Sequence, residues 1–222
     1  MKKRIFAVIT VLALCASLLV LCSCGEKKSD PANAVFVTVS SEGDLVVKHE
    51  AVEPKDVDGD GVISICDAIA AVHEKDGFAA ESTEYGLSVV KLWGVENGGS
   101  YGVYINNEMS YDLTAPVKAG DHIYAYSYKD LTNWSDTFSF FDKATASGKE
   151  VTLTLQNVAF DENWNPVNAP CAGAVITIDG AKTAFVTGED GAVTITLDNG
   201  EHVISAVSDT LTLVPPVCIV TA

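Results

Sequence analysis

The stretch Asp56-Val-Asp58-Gly-Asp60-Gly61-Val62-Ile63-Ser64-Ile-Cys66-Asp67 carries the sharpest chemistry in the chain. Carboxylates recur at alternate residues and return at the twelfth loop position. Gly61 stands at the sixth, where a loop wrapped round an ion must turn sharply. Ile63 at the eighth is apolar, as a loop anchored on a core requires. Asp56, Asp58, Asp60 and Asp67 would supply carboxylate oxygens, Val62 its carbonyl, and Ser64 a hydroxyl acting directly or through water. That is an oxygen cage for a hard cation with six or seven ligands, and Ca²⁺ is the expected ion. Crowded carboxylates repel one another without a cation, so a bound metal explains the loop better than solvation does.

A second set of residues could bind by stacking. Tyr124, Tyr126 and Tyr128 alternate with Ile123, Ala125 and Ser127, so on a strand the tyrosines share one face. Two readings stay open. The rings face a core with their hydroxyls at its rim, or they form an exposed surface for a planar ligand or sugar. Trp93, Tyr104 and Trp134 are candidates to extend that surface. Cys171 and Cys218 are a disulfide candidate; closing their loop of about 48 residues would add roughly 4 kcal/mol in the chain-entropy view. The alternative is two buried thiols, and Cys66 is expected to pack. His49, His73, His122 and His202 are scattered, with His73 read as helix packing. No nucleophile elbow, His-x-x-x-His pair, catalytic carboxylate pair or phosphate loop occurs, so no enzyme is expected.

The N-terminus reads as an address. Met1-Lys2-Lys3-Arg4 is basic, and Ile5 to Leu21 is an apolar run too short for an easy membrane span. Removing residues 1–23 takes away Lys2, Lys3 and Arg4 and no acid, which moves the formal net charge from -16 to -19. Such a chain repels phosphate backbones, which excludes nucleic-acid partners, and it disfavours anionic membrane surfaces.

These groups need elements to hold them. Strands are expected at 35–39 and 45–49, then a helix at Ala68–Lys75 with Ile69, Val72 and His73 on one face. Strands follow at 88–93, 101–105, 121–128 and 137–141. This order predicts an α+β, β-grasp-like domain over 35–142, one helix crossing a mixed sheet. A small, polar linker is expected at 143–149. Strands at 150–158, 174–178, 183–187, 192–197, 202–207 and 217–221 predict an all-β sandwich over 150–222. Residues 24–34 read as a flexible tether.

Four stretches resemble known families. Leu21-Cys22-Ser23-Cys24 resembles a bacterial lipobox, which implies lipidation of Cys24 and an extracytoplasmic protein anchored to the cell membrane. The acidic loop is similar to one calcium-binding repeat of dockerins and to EF-hand loops, with Asp67 in place of the EF-hand Glu. It has no second repeat, so cohesin binding is not implied. Trp93-Gly94, Gly98 to Asn107, Gly120-Asp121 and Tyr124 to Tyr128 resemble the transcobalamin C-terminal domain, where relatives cover a corrinoid. Pro170 to Ile178, Val186 to Ile195 and Asn199 to Ala206 resemble prealbumin-like, carboxypeptidase-regulatory-like sandwiches, which act as stalks. Together these imply a lipid-anchored calcium-binding surface module whose partner is a small planar ligand, a glycan or a surface protein. The alternative is a structural spacer or adhesion fragment with no small ligand.

Overall fold

The computed structural model of the chain describes residues 32–84, 86–96 and 101–222. Cys24, the expected signal segment and most of the expected tether lie outside the described residues.

The first sheet starts with β1 (Val35–Ser41), whose β-branched residues favour extended backbone. The turn at Glu42-Gly43 leads into β2 (Asp44–Val52). The acidic loop follows, then α1 (Ile65–Ala71). A separate hairpin comprises β3 (Ala79–Thr83) and β4 (Gly86–Lys91). Strands β5 (Tyr101–Ile105), β6 (Glu108–Met109) and β7 (His122–Ser127) complete the first sheet. Its order is β2-β1-β7-β5-β6, with β1 and β7 parallel and the other neighbours antiparallel.

The expected α+β β-grasp does not form. Strand takes 53% of the described residues and helix only 4%, so the fold is all-β. The helix starts earlier than Ala68 because Ser64 and Asp67 form a capping box there. It stops at Val72, short of the expected Lys75. Seven residues rise about 10 Å, whereas five strands about 4.8 Å apart span nearly twice that. The helix plugs one side of the sheet and does not cross it. Ile65, Ala68 and Ile69 are its fully buried contacts, packed with Val37, Val39, Leu92 and Ile123.

β8 (Thr137–Ser147) and β9 (Glu150–Phe160) form the longest hairpin. The segment expected to be a linker, 143–149, is its closing end: Lys143 pairs with Thr154 and Ser147 with Glu150. Alternating Ala144 and Ala146 carry the ladder through, and they pack on the core of the second half. A register shift between Phe141 and Lys143 lets the hairpin serve two cores. Phe138, Phe140 and Val158 face the first sheet, while Val151, Leu153 and Leu155 face the sandwich.

The remaining strands are β10 (Pro166–Pro170), β11 (Val175–Ile178), β12 (Ala181–Val186), β13 (Ala192–Thr196), β14 (Glu201–Val207), β15 (Leu213–Val214) and β16 (Cys218–Thr221). One sandwich layer has the order β10-β9-β8-β15, with β13 also on β9; the other is β12-β11-β14-β16. Prolines at both ends of β10 suit its edge position, since proline donates no ladder bond. Gly191 is required where β13 begins. A Cβ there would lie 2.3 Å from the Leu155 carbonyl oxygen.

Candidate metal loop and aromatic surfaces

β2 ends with Val52 opposite Val35, so the acidic loop leaves the sheet at the end where β1 begins. The segment Leu113–Val117 braces its far side. Ile65 and Cys66 donate backbone N–H groups to Ala115 and Leu113, and Val117 donates to Ile63. Residue spacing gave no sign of that brace, because its contacts are backbone to backbone.

Asp56, Asp58 and Asp60 converge, each offering an oxygen within 4.8 Å of the others. Backbone N–H groups preset them. Asp56 accepts from Gly59 at 2.6 Å and Gly61 at 2.9 Å, Asp58 from Asp60 at 3.2 Å, and Asp60 from Val62 at 2.7 Å. The Gly61 and Gly59 donors hold the Asp56 carboxyl below the usual range. Gly59 and Gly61 have φ of +78° and +88°, where a side chain would be strained although no atom would block it. None of the three carboxylates pairs with a Lys, Arg or His among the described residues. An exposed, uncompensated trio of hard oxygens is a donor set that fits a hard divalent cation.

Asp67 and Ser64 do other work. Asp67 is 2% exposed and is not part of the trio. One of its oxygens accepts the Val57 N–H at 2.9 Å; the other accepts the Ser64 N–H at 2.8 Å and the Ser64 hydroxyl at 2.7 Å. It therefore ties both ends of the loop to the helix start. Val62 is 38% exposed, its N–H given to Asp60. The Cys66 thiol is pushed up to about 11 by burial, then by Asp67 and Asp58, so it stays protonated.

The tyrosine face is a core. Tyr104, Tyr124 and Tyr126 are buried against Phe138. Tyr104 stacks on that ring at 3.6 Å between centroids, and Tyr124 meets it edge-on at 5.3 Å. Tyr126 lies across Gly102, where a Cβ would come within 2.2 Å of its ring. Tyr124 donates its hydroxyl to the Pro215 carbonyl, and Tyr126 to Tyr128 at 3.4 Å. Burial raises the phenols of all three above their ordinary range, so they remain neutral donors. These three candidates for an exposed stacking surface are thus corrected: β8 supplies the cover, and its phenylalanines come from beyond the segment that carried the pattern. Tyr128 is half-buried. Ile123 and Ala125 point to the opposite core, so β7 is buried on both faces.

Trp93 and Trp134 do reach solvent, at 39% and 62% exposure. Trp93 gives its N–H to His73 Nε2 at 3.2 Å, while His73 Nδ1 contacts the Ile69 carbonyl at 2.7 Å. That geometry fixes a neutral imidazole with its proton on Nδ1 and links α1 to the turn after β4. Cys171 and Cys218 are both buried in one apolar cluster.

A cavity of about 180 Å³ lies where the first sheet meets β8 and β16, with His49, His122, Tyr124, Phe140 and Cys218 in its walls. The His49 ring stacks on Phe36 and meets His122 edge-on, each at 4.5 Å. His122 bonds Thr38 at 2.8 Å. Burial, and then His49, push His122 down to about 3, so it is neutral.

Comparison of the chain with protein-family models, with curated proteins and with solved structures found no match.

Proposed function

We propose that this chain is a calcium-stabilised module, anchored outside the cytoplasm by lipid on Cys24, that binds a ligand or protein at the cell surface. The observation that carries it is the Asp56, Asp58 and Asp60 trio, gathered without a compensating cation at the mouth of the only helix among the described residues. In this reading the ion is structural. It neutralises the trio and fixes the loop that the Asp67 cap and the Leu113–Val117 brace hold against the sheet. The basic start, apolar run and Leu-x-Ser-Cys24 pattern support the anchor, and the strongly negative charge supports a soluble exterior.

Extracellular calcium modules bind with Kd on the order of 10⁻⁴ to 10⁻³ M. At about 10 mM Ca²⁺ the linkage gain is about 2 kcal/mol, a rise of about 4–8 °C in Tm for a chain of this size. Calorimetric scans with Ca²⁺ and with EDTA measure it. A Tm that does not respond, with no heat of Ca²⁺ binding, rejects the metal. Separately, Cys24→Ala should abolish labelling by a radioactive fatty acid, and labelling that persists rejects the anchor.

A further inference from the structure

Three segments converge at one end of the β8–β9 ladder. β8 begins at Thr137 and β9 ends at Phe160, with Ser139 opposite Asn157. Loop 128–136 therefore meets the turn 161–165 there. Segment 208–212 arrives beside them, because Leu213 pairs with Thr137 and Thr137 donates its N–H to Thr212. This end also carries Leu131, Trp134, Phe160, Trp164 and Leu211, all exposed. Trp164 is 82% exposed, and its ring lies 6.4 Å from that of Phe160.

Both tryptophans are presented by built turns. Trp134 and Trp164 have φ of +51° and +63°, a conformation rare for bulky residues and costly to hold. An upstream aspartate clamps each turn. Asp130 accepts from Thr132, Asn133 and the Ser135 hydroxyl, and its carboxyl is driven down to about 2 by these bonds. Asp161 accepts from Asn163 and Asn165. Each turn returns the tryptophan N–H to the carbonyl of the same aspartate, at 2.9 Å for Trp134 and 3.0 Å for Trp164. Two Asp-clamped, Asn-Trp turns thus hold indole rings out into water at one end of the molecule.

We propose that this end is a binding site for a neutral glycan, with Trp134 and Trp164 stacking on sugar rings. The choice of ligand rests on what surrounds the indoles. They are not one apolar patch but rings set among Asn133, Glu162 and Asn163, which offer bonds to hydroxyl groups. Asp130, Asp136, Asp161, Glu162 and Asp209 crowd the same segments, with Lys129 the one basic residue in them. That field repels anionic polysaccharides and anionic headgroups. A polyhydroxylated, uncharged chain with apolar ring faces matches both features. The proposal names the ligand class for the surface-module reading above and rests on it.

The test is affinity electrophoresis of the full chain, in non-ionic detergent, through gels holding hydroxyethylcellulose, arabinoxylan, galactomannan or starch, with polygalacturonate as the anionic control. Retardation is expected in at least one neutral gel and not in polygalacturonate. Trp134→Ala and Trp164→Ala should each weaken it about tenfold, with Tm unchanged because both rings are exposed. Migration unaltered in every neutral gel overturns the proposal. So does retardation that survives both substitutions, or self-association in sedimentation that Trp164→Ala abolishes, which would make this end an interface between copies. The calcium response of Tm and the Cys24 label are read separately, so a failed glycan test leaves the anchored calcium module standing.

Discussion

Tyr104, Tyr124 and Tyr126 sit on strands and are buried, whereas Trp134 and Trp164 sit on turns and face water. Strand residues point to alternate faces, and β7 is covered on one face by the phenylalanines of β8 and on the other by α1. The tyrosines are committed to packing before any ligand arrives. A left-handed turn has no facing layer. Its side chain stays exposed unless another element closes over it, and none does here. An aromatic stripe with period two therefore signals a core, while an aromatic residue inside an Asp/Asn-rich turn signals a surface.

The largest effect should come from the shared tyrosine partner. Phe138→Ala should cost about 3–5 kcal/mol in urea unfolding, against less than about 0.5 kcal/mol for Trp164→Ala. Equal losses would break the distinction. Gly102→Ala drives a methyl into the Tyr126 ring and should cost about 1–3 kcal/mol. Within the acidic loop, Asp67→Asn should destabilise the metal-free protein by about 1–2 kcal/mol through the lost cap. Asp58→Asn should leave metal-free stability near the wild type and remove the response to Ca²⁺. The reverse pattern would assign Asp67 to the ion and Asp58 to the fold.

The smallest effect concerns pH. His122 and His73 are held neutral by burial, so their folded pKa values lie below the unfolded value. Their contribution is full above about pH 6.5. It is lost as pH falls, down to about 3 for His122. Melting temperature should decline over that window, and His122→Gln should flatten part of the decline. A profile unchanged by that substitution would show that carboxylates alone drive it.

Much of the strand order was legible because period-two alternation survives wherever one face is buried. Val193, Ile195 and Leu197 announce β13 in this way. The acidic trio was legible from spacing alone, because its ligands are local. What could not be read is what depends on distant partners. Asp67 looked like a ligand by position, and only its bonds to Val57 and Ser64 reveal a cap. Residues 143–149 looked like a linker because small polar residues suit a solvent-facing ladder as well as a free connection. The helix looked longer because His73-Glu74-Lys75 carries no helix breaker before Asp76-Gly77, although the chain turns away at Val72. β10 and β15 escaped notice, one bounded by prolines and the other only two residues long.

The parallel pairing of β1 with β7 has a mechanical consequence. Ala34, just before β1, adjoins one end of that strand, and the Trp134 turn follows the far end of β7. A pull between a tethered N-terminus and a captured polymer would run along these strands. The ladder from Phe36–His122 to Ser41–Ser127, together with the β2 ladder on the other side, would then be loaded in shear. Bonds loaded in shear resist together, whereas a peeled hairpin opens one rung at a time. The acidic loop adjoins the loaded end of β1, so an ion held there would stiffen the point at which tension enters the fold.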